Sequence, residues 1–505
     1  MWKVKFFSFF AFSLLTLFTP SLVWAQPVIH LPYFPYGVRF SETAITWFGA
    51  VTGSDNYTDL RLGYSDTELF ITNNTFDRLL WYDTNASSPN LQNGDAIIIY
   101  LQTSGINQKT FKITAQLNWW ESRTTYQKIE ELNGSVWQSV AVPFTSISGW
   151  RGNAPLDSVD DRGWSMIFHV PFTSLGAGVP TQGTKWKIAG SVLDKNSGNG
   201  GVVTTGWPTG IQSTTPTTWA TLSFGIPGFI QPQTINNQTV TIRHKLNGIQ
   251  VVDASVGGDT VCGENLDFFN QWGGKNYAGL DRFNIQNQED VADWPCFNKE
   301  YIHFPLTSVP AGKEIVSARL ILHEFGNSGN PGETIHSLIQ VMRVKDIWDE
   351  NTITWNNAPI PIENISSAWV DPAPPLVWPG AEYIWDVSKG VKDSYTEGGP
   401  FNIVIYTADY QYSSGKYFVS SDTGDWNEVG RPTVVITYGD LTDISPTPTL
   451  SPDRNNDTKV NSMDFGYVSY AYGSSLGQTK YDSLVDFNHD GLINFLDVIY
   501  LISRI

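Results

Sequence analysis

Cysteine is almost absent: Cys262 and Cys296 are the only two in 505 residues. That excludes a disulfide-stapled scaffold and a thiolate metal cluster. Charge is also scarce, with Asp, Glu, Lys and Arg at 16%, against roughly a quarter in an average globular chain. Basic residues are the scarcer kind, 31 against 49 acidic ones, for a net charge of −18. Nothing here builds a phosphate-neutralising surface, so a nucleic-acid partner is excluded. The seven His are scattered with no His-x-x-x-His pair, and past the N-terminus no apolar run is long enough to span a membrane. Aromatics are what the chain has: 20 Trp, 21 Tyr and 28 Phe, or 14%. Such material builds large cores and excludes disorder over most of the length, and the length itself predicts several modules.

The two ends are legible first. Lys3 and Lys5, an apolar stretch over 6–18 and the small-residue site Val23-Trp24-Ala25 predict a signal peptide over residues 1–25, cleaved before Gln26. The expectation is an exported protein, extracellular or attached to the cell surface. In an oxidising medium Cys262 and Cys296 are expected to pair; two buried, reduced thiols are the alternative.

At the other end, oxygen-bearing residues recur on a twelve-residue frame. One loop offers Asp453, Asn455, Asp457, Asn461 and Asp464, with the carbonyl of Lys459 at the seventh position. The second offers Asp486, Asn488, Asp490, Asn494 and Asp497, with the carbonyl of Leu492. A hard cation such as Ca2+ needs six or more oxygens wrapped on a tight loop, and this spacing supplies them twice. Each loop precedes an apolar-periodic stretch readable as a helix. This duplicated tail, residues 453–505, resembles a type I dockerin. The resemblance implies calcium-dependent folding and docking onto a cohesin-bearing scaffold through Ser462, Met463, Phe495 and Leu496. Thr458 stands where such loops carry glycine.

Between the ends, Pro, Thr and Ser mark a linker over 441–452, and Pro/Gly punctuation with a polar run marks another over 226–238. The remaining segments, 30–225 and 239–440, look β-rich. Residues 96–101 read as a buried strand, and 316–324 alternates with Val316, Ala318, Leu320 and Leu322 on one face. The fold class expected is all-β: two antiparallel, jelly-roll-like sandwiches followed by a small α-helical calcium-binding module. Residues 239–440 hold 13 Lys and Arg against 26 Asp and Glu, which argues against a polyanionic ligand there.

In the first segment, Asn56 to Tyr64, Phe76-Asp77-Arg78-Leu79-Leu80-Trp81, Gly94-Asp95-Ala96-Ile97 and Gly183-Thr184-Lys185-Trp186 follow one another in an order similar to the family-nine carbohydrate-binding modules. In the second, Gly274 to Ala278, Trp348 to Pro359, Trp385-Asp386-Val387-Ser388 and Arg431-Pro432 resemble the DNRLRE-type carbohydrate-binding modules. Both likenesses imply sandwiches that hold polysaccharide. Independently of family, an indole stacks on the apolar C–H face of a pyranose. Trp81, Trp119, Trp120 and Trp207 sit in turn-like or strand-end contexts where a ring could face solvent. Trp348, Trp355 and Trp385 read as core, and Asp77-Arg78 as a structural ion pair or turn contact. No catalytic constellation is legible, although 49 acidic residues leave carboxylate pairs open. The leading expectation is a secreted, non-catalytic polysaccharide-binding protein that docks through a calcium-loaded tail. A polysaccharide hydrolase or lyase, or a structural envelope protein, are the alternatives.

Overall fold

The computed structural model describes residues 26–258, 266–288, 296–374, 377–441, 451–454, 459–487 and 491–503. The signal segment 1–25, Cys262, Asn455, Asp457, Asn488, Asp490 and most of the linker 441–452 lie outside the described residues. Contacts divide the chain into two units. The first comprises residues up to 231 together with 238–438, and the second 232–237 together with 439–505.

Among its described residues the first unit is β apart from loops, short helical turns and one helix, Ser388–Thr396. Its N-terminal half packs two sheets. Five antiparallel strands form one, in the order Ala44–Gly49, Tyr57–Tyr64, Glu68–Phe76, Gly163–Pro171 and Thr145–Arg151. The facing sheet runs from Val136–Ser139 through Gln127–Asn133, Thr110–Gln116 and Ala96–Gln102 to Lys185–Asp194. Beyond it lies Ala220–Phe224, and Val28–Leu31 runs parallel to that strand. Ile97, Ile99 and Leu101 point into the main core with Leu60, Ile71 and Phe168. On the reverse of the same strand, Ala96, Ile98 and Tyr100 are covered by Trp219 and Trp137. A strand buried on both faces must be apolar at every position, and that is why residues 96–101 do not alternate.

The C-terminal half is a second sandwich. Val252–Val256, Cys296–Phe304, Phe401–Thr407, Ser337–Val344 and Glu363–Val370 pair antiparallel in one sheet. Arg282–Gln288, Lys416–Val419, Glu314–Asn327 and Ala381–Asp386 form the other. Along Glu314–Asn327 the alternation is realised: Ala318, Leu320 and Leu322 are fully buried, while Arg319 between them is exposed. Trp355 and Trp385 are buried, as their reading as core requires. Cys296 is buried and disulfide-bonded. One boundary differs from expectation: Thr234–Arg243 is a strand, so chain read as linker over 226–238 begins a sheet pairing with Thr433–Leu441. Its Thr and Val suit a strand even though the flanking Pro and Gly signal a break.

A third core joins the two sandwiches. Trp47, Val51, Tyr57 and Phe76 from the first interdigitate with Phe268, Trp272, Phe297, Trp355 and Tyr406 from the second. Polar contacts stitch the same seam: the Asn356 side chain bonds both the N–H and the carbonyl of Val51, at 2.8 and 2.9 Å. Arg61, fully buried against Asp59, donates to the carbonyl of Ala408 at 3.0 Å. Within this seam Lys299, only 2% exposed, is enclosed by rings. Its ammonium lies 3.7 Å from the Trp355 centroid, 3.8 Å from Trp47 and 4.5 Å from Tyr57, and it donates to the Tyr57 hydroxyl at 2.7 Å.

The second unit carries two helices, Ser462–Ala471 and Phe495–Ile502. Both begin with a capping box, Asn461 with Asp464 and Asn494 with Asp497, which satisfies N–H groups otherwise left bare at a helix start. Val468, Ala471, Val485, Ile493 and Leu501 form its small core.

Candidate functional site

Of the four tryptophans singled out, two come together. Trp119 and Trp120 follow the strand Thr110–Gln116, and their rings stack at 3.9 Å with 20° between planes. Trp150 braces Trp119 edge-on at 5.2 Å. The turn is fixed beneath them. Glu121 Oε2 accepts from the Trp119 N–H at 3.0 Å, Glu121 Oε1 accepts from the Tyr82 hydroxyl at 3.0 Å, and Asn118 Nδ2 donates to the Glu121 carbonyl. Trp120 is 76% exposed. A large apolar ring held at the surface on a rigid turn is costly unless something covers it, and its flat face matches the C–H face of a sugar ring. Trp150 escaped notice in the sequence because it sits in an ordinary strand, Thr145–Arg151, with no local signal.

The other two tryptophans do not join this surface. Trp207 is 1% exposed in the first core, so it offers no face to a ligand; the strand Val203–Trp207 runs it inward beside Lys185–Asp194. Trp81 is half-buried, its ring lying against Gly198, where an added Cβ would come within 2.9 Å.

A second chemical feature lies inside the first sandwich. Asp77, Asp95 and Asp194, at the ends of three strands, bring carboxylate oxygens within 4.8 Å of one another, all buried. Asp77 accepts from the Leu79 N–H and the Trp164 indole, and Asp95 from the N–H groups of Trp81 and Lys195. Burial and then the neighbouring carboxylates push Asp77 and Asp95 well above the usual carboxylate range. Three such groups cannot all stay ionised without compensation; shared protons or a divalent cation would neutralise them. Of the two readings of Asp77-Arg78, the turn contact is formed, through the Leu79 N–H on Asp77 Oδ1, and the ion pair is not. Arg78 instead pairs with Asp160 at 2.8 Å, because Asp77 turns inward while Arg78 turns to solvent.

In the second unit, Asp464 Oδ1 accepts from the Arg454 N–H at 2.7 Å and Oδ2 from the Asn461 N–H at 2.8 Å. Asp497 does the same toward Phe487 and Asn494, at 2.8 and 2.9 Å. The twelfth position of each frame is thereby tied to the start of its own loop. Asp486 Oδ2 accepts from the Gly491 N–H and the Tyr481 hydroxyl. Among the described donors Asp464, Asp486 and Asp497 are buried carboxylates, hard oxygens of the kind Ca2+ takes. Ser462, Met463, Phe495 and Leu496 are exposed on the first turns of the two helices.

Residues 270–438 match the profile of carbohydrate-binding module family 96. No curated protein matches the chain. Among solved structures, a protein of Bacteroides uniformis is similar at 9% identity, covering 40% of this chain and 100% of its own, with a TM-score of 0.30. A carbohydrate-binding module of family 9 from Caldicellulosiruptor kristjanssonii, in complex with cellotriose, is similar at 13% identity, covering 39% of this chain and 93% of its own, with a TM-score of 0.26. The module from the same organism in complex with glucose shows 14% identity, with 41% and 100% covered and a TM-score of 0.27.

Proposed function

We propose that the chain is an exported, non-catalytic polysaccharide-binding protein. The single observation that carries this reading is the Trp119–Trp120 stack, an indole surface anchored from below and open above. The family match over residues 270–438 supports it for the second sandwich, which we read more finely as a DNRLRE-type module. The C-terminal unit is read as a dockerin. Its two loops would hold Ca2+ through Asp453, Asn455, Asp457, the Lys459 carbonyl, Asn461 and Asp464, and through Asp486, Asn488, Asp490, the Leu492 carbonyl, Asn494 and Asp497, and the exposed first turns would meet a cohesin-bearing partner at the cell surface. Calcium would neutralise the clustered carboxylates, while the backbone N–H groups that donate to Asp464 and Asp497 preset the loops.

Affinity electrophoresis of the full chain through a panel of soluble polysaccharides tests this, with released reducing ends assayed in parallel. Retention by at least one glycan without release is expected. Trp120→Ala should weaken retention about tenfold or more, the loss expected of an exposed aromatic anchor, with an unchanged melting temperature. Release of reducing sugar would replace this reading with the enzymatic one, and no retention by any glycan would remove it.

A further inference from the structure

A second aromatic surface lies on the second sandwich, on residues that nothing above uses. Trp378 precedes the strand Ala381–Asp386, and Trp426 lies in the helical turn Asp425–Gly430. Their rings meet edge to face at 4.9 Å and 88°, forming a corner. Phe325 backs Trp378, stacked at 5.7 Å and 28°. Trp378 is 44% exposed and Trp426 67%. The corner is built rather than incidental. Gly424 closes on the Trp426 ring, where a Cβ would stand 2.7 Å from Cδ1, so a larger residue there would push the indole out of this position.

A fixed acceptor, Asp425, precedes Trp426 in the same turn. Asp425 Oδ1 takes hydrogen bonds from Arg431 Nη2 at 2.6 Å and Lys245 Nζ at 2.9 Å. Arg431 is itself buried and bonded to the Thr423 carbonyl at 2.7 Å, which pins the carboxylate in place. Those bonds, Arg431 first, hold the Asp425 carboxyl down at about 2, so it is a charged acceptor at any working pH. An indole face beside a pinned carboxylate and an exposed ammonium is what a pyranose needs: one surface for its C–H face and polar partners for its hydroxyls.

The charge of the corner selects among sugars. The loop that carries Trp426 holds Asp422, Asp425 and Glu428, against the two cations that pair with Asp425, Lys245 and the buried Arg431, so acidic groups still outnumber basic ones. A uronate chain would be repelled there, whereas a neutral one would not.

We propose that Trp378 and Trp426 form a second glycan site, which takes a neutral hexopyranose unit by stacking it in the indole corner with its hydroxyls toward Asp425 and Lys245. The proposal rests on the polysaccharide-binding reading and adds a place and a sugar class to it.

The test compares the full chain with Trp120→Ala, Trp426→Ala and the double variant by affinity electrophoresis. The probes are a neutral glucan, a neutral mannan and a polyuronate. Retention by a neutral polymer that survives in Trp120→Ala and drops a further tenfold or more in the double variant is the expected result. Trp426→Phe, which keeps a ring, should restore most of it, and quenching of indole fluorescence by the neutral polymer in Trp120→Ala should vanish in the double variant. If Trp426→Ala binds every polymer like the native chain, the proposal is overturned while the general reading stands. If the native chain retains none of them, the general reading itself fails. Preference for the polyuronate would overturn the neutral class. A native dimer that Trp426→Ala turns into a monomer in sedimentation would assign the corner to self-association instead.

Discussion

Lys299 allows the seam between the two sandwiches to be tested by titration. Replacing it by Met keeps the length and the apolar stem among Trp47, Tyr57, Trp355 and Tyr406 and removes only the nitrogen. The lost hydrogen bond to Tyr57 is worth about 1 kcal/mol. The larger effect is on protons. Burial lowers the Lys299 ammonium well below its ordinary value, with Asp59 pulling it partly back, whereas in the unfolded chain it titrates near about 10.4. Between those two values the unfolded chain binds the extra proton, so native stability must rise with pH across that window. The slope is up to about 1.4 kcal/mol per pH unit, and it vanishes below the folded pKa, where both states are protonated. Lys299→Met has no such term. Urea unfolding of both proteins at rising pH, up to about pH 10, should therefore show the native protein gaining on the variant once the pH passes the folded value, while other titrating groups cancel. A constant difference over that range would refute the reasoning. It would mean that four aromatic faces, worth about 2 kcal/mol or more to a desolvated cation, outweigh the cost of burying it.

Two other perturbations follow from buried carboxylates. Asp253 accepts from the Ser421 N–H at 2.6 Å, and burial pushes its carboxyl up to about 8. A raised native value gives stability that is complete below the unfolded pKa and is lost as pH rises toward 8, so Asp253→Asn should flatten the melting temperature between about pH 4 and about pH 8; an unchanged decline would refute this. In the second unit, adding Ca2+ to the full chain should increase helical circular dichroism, and Asp497→Asn should lower the calcium bound at equilibrium dialysis by one ion per chain. An unaltered stoichiometry would remove Asp497 from the ligand set.

What the sequence disclosed depended on how local the physics was. The twelve-residue frames could be read because each set of oxygens is contiguous, and the capping boxes at Asn461 and Asn494 fall where those frames end. The strands at 96–101 and 316–324 were legible because burial on both faces and burial on one face leave different periods. The seam was not legible. Asn356 reaches Val51 across 305 residues of chain, and no local pattern records such a pairing. The burial of Lys299 and Glu300 has no local signal either: charged residues in a strand normally mark a solvent face, yet Cys296–Phe304 is covered on both sides by the seam and the second core. Trp207 looked turn-like because Pro208 follows it, while its burial depends on sheet partners elsewhere in the chain. The Trp378–Trp426 corner lay equally far from view, since its two rings come from loops almost fifty residues apart.

The seam also bears on what the molecule can grip. Two sandwiches joined by a floppy tether could each catch sugar wherever it lay, and the chain would behave as two independent hands. Here the tryptophans, Lys299 and Asn356 weld them, so the Trp119–Trp120 face and the Trp378–Trp426 corner keep a constant separation and orientation. With sugar on both proposed faces the pair would act as a caliper: only fibres whose exposed rings repeat at the matching interval would fill both jaws at once, and misaligned ones would be held by a single jaw.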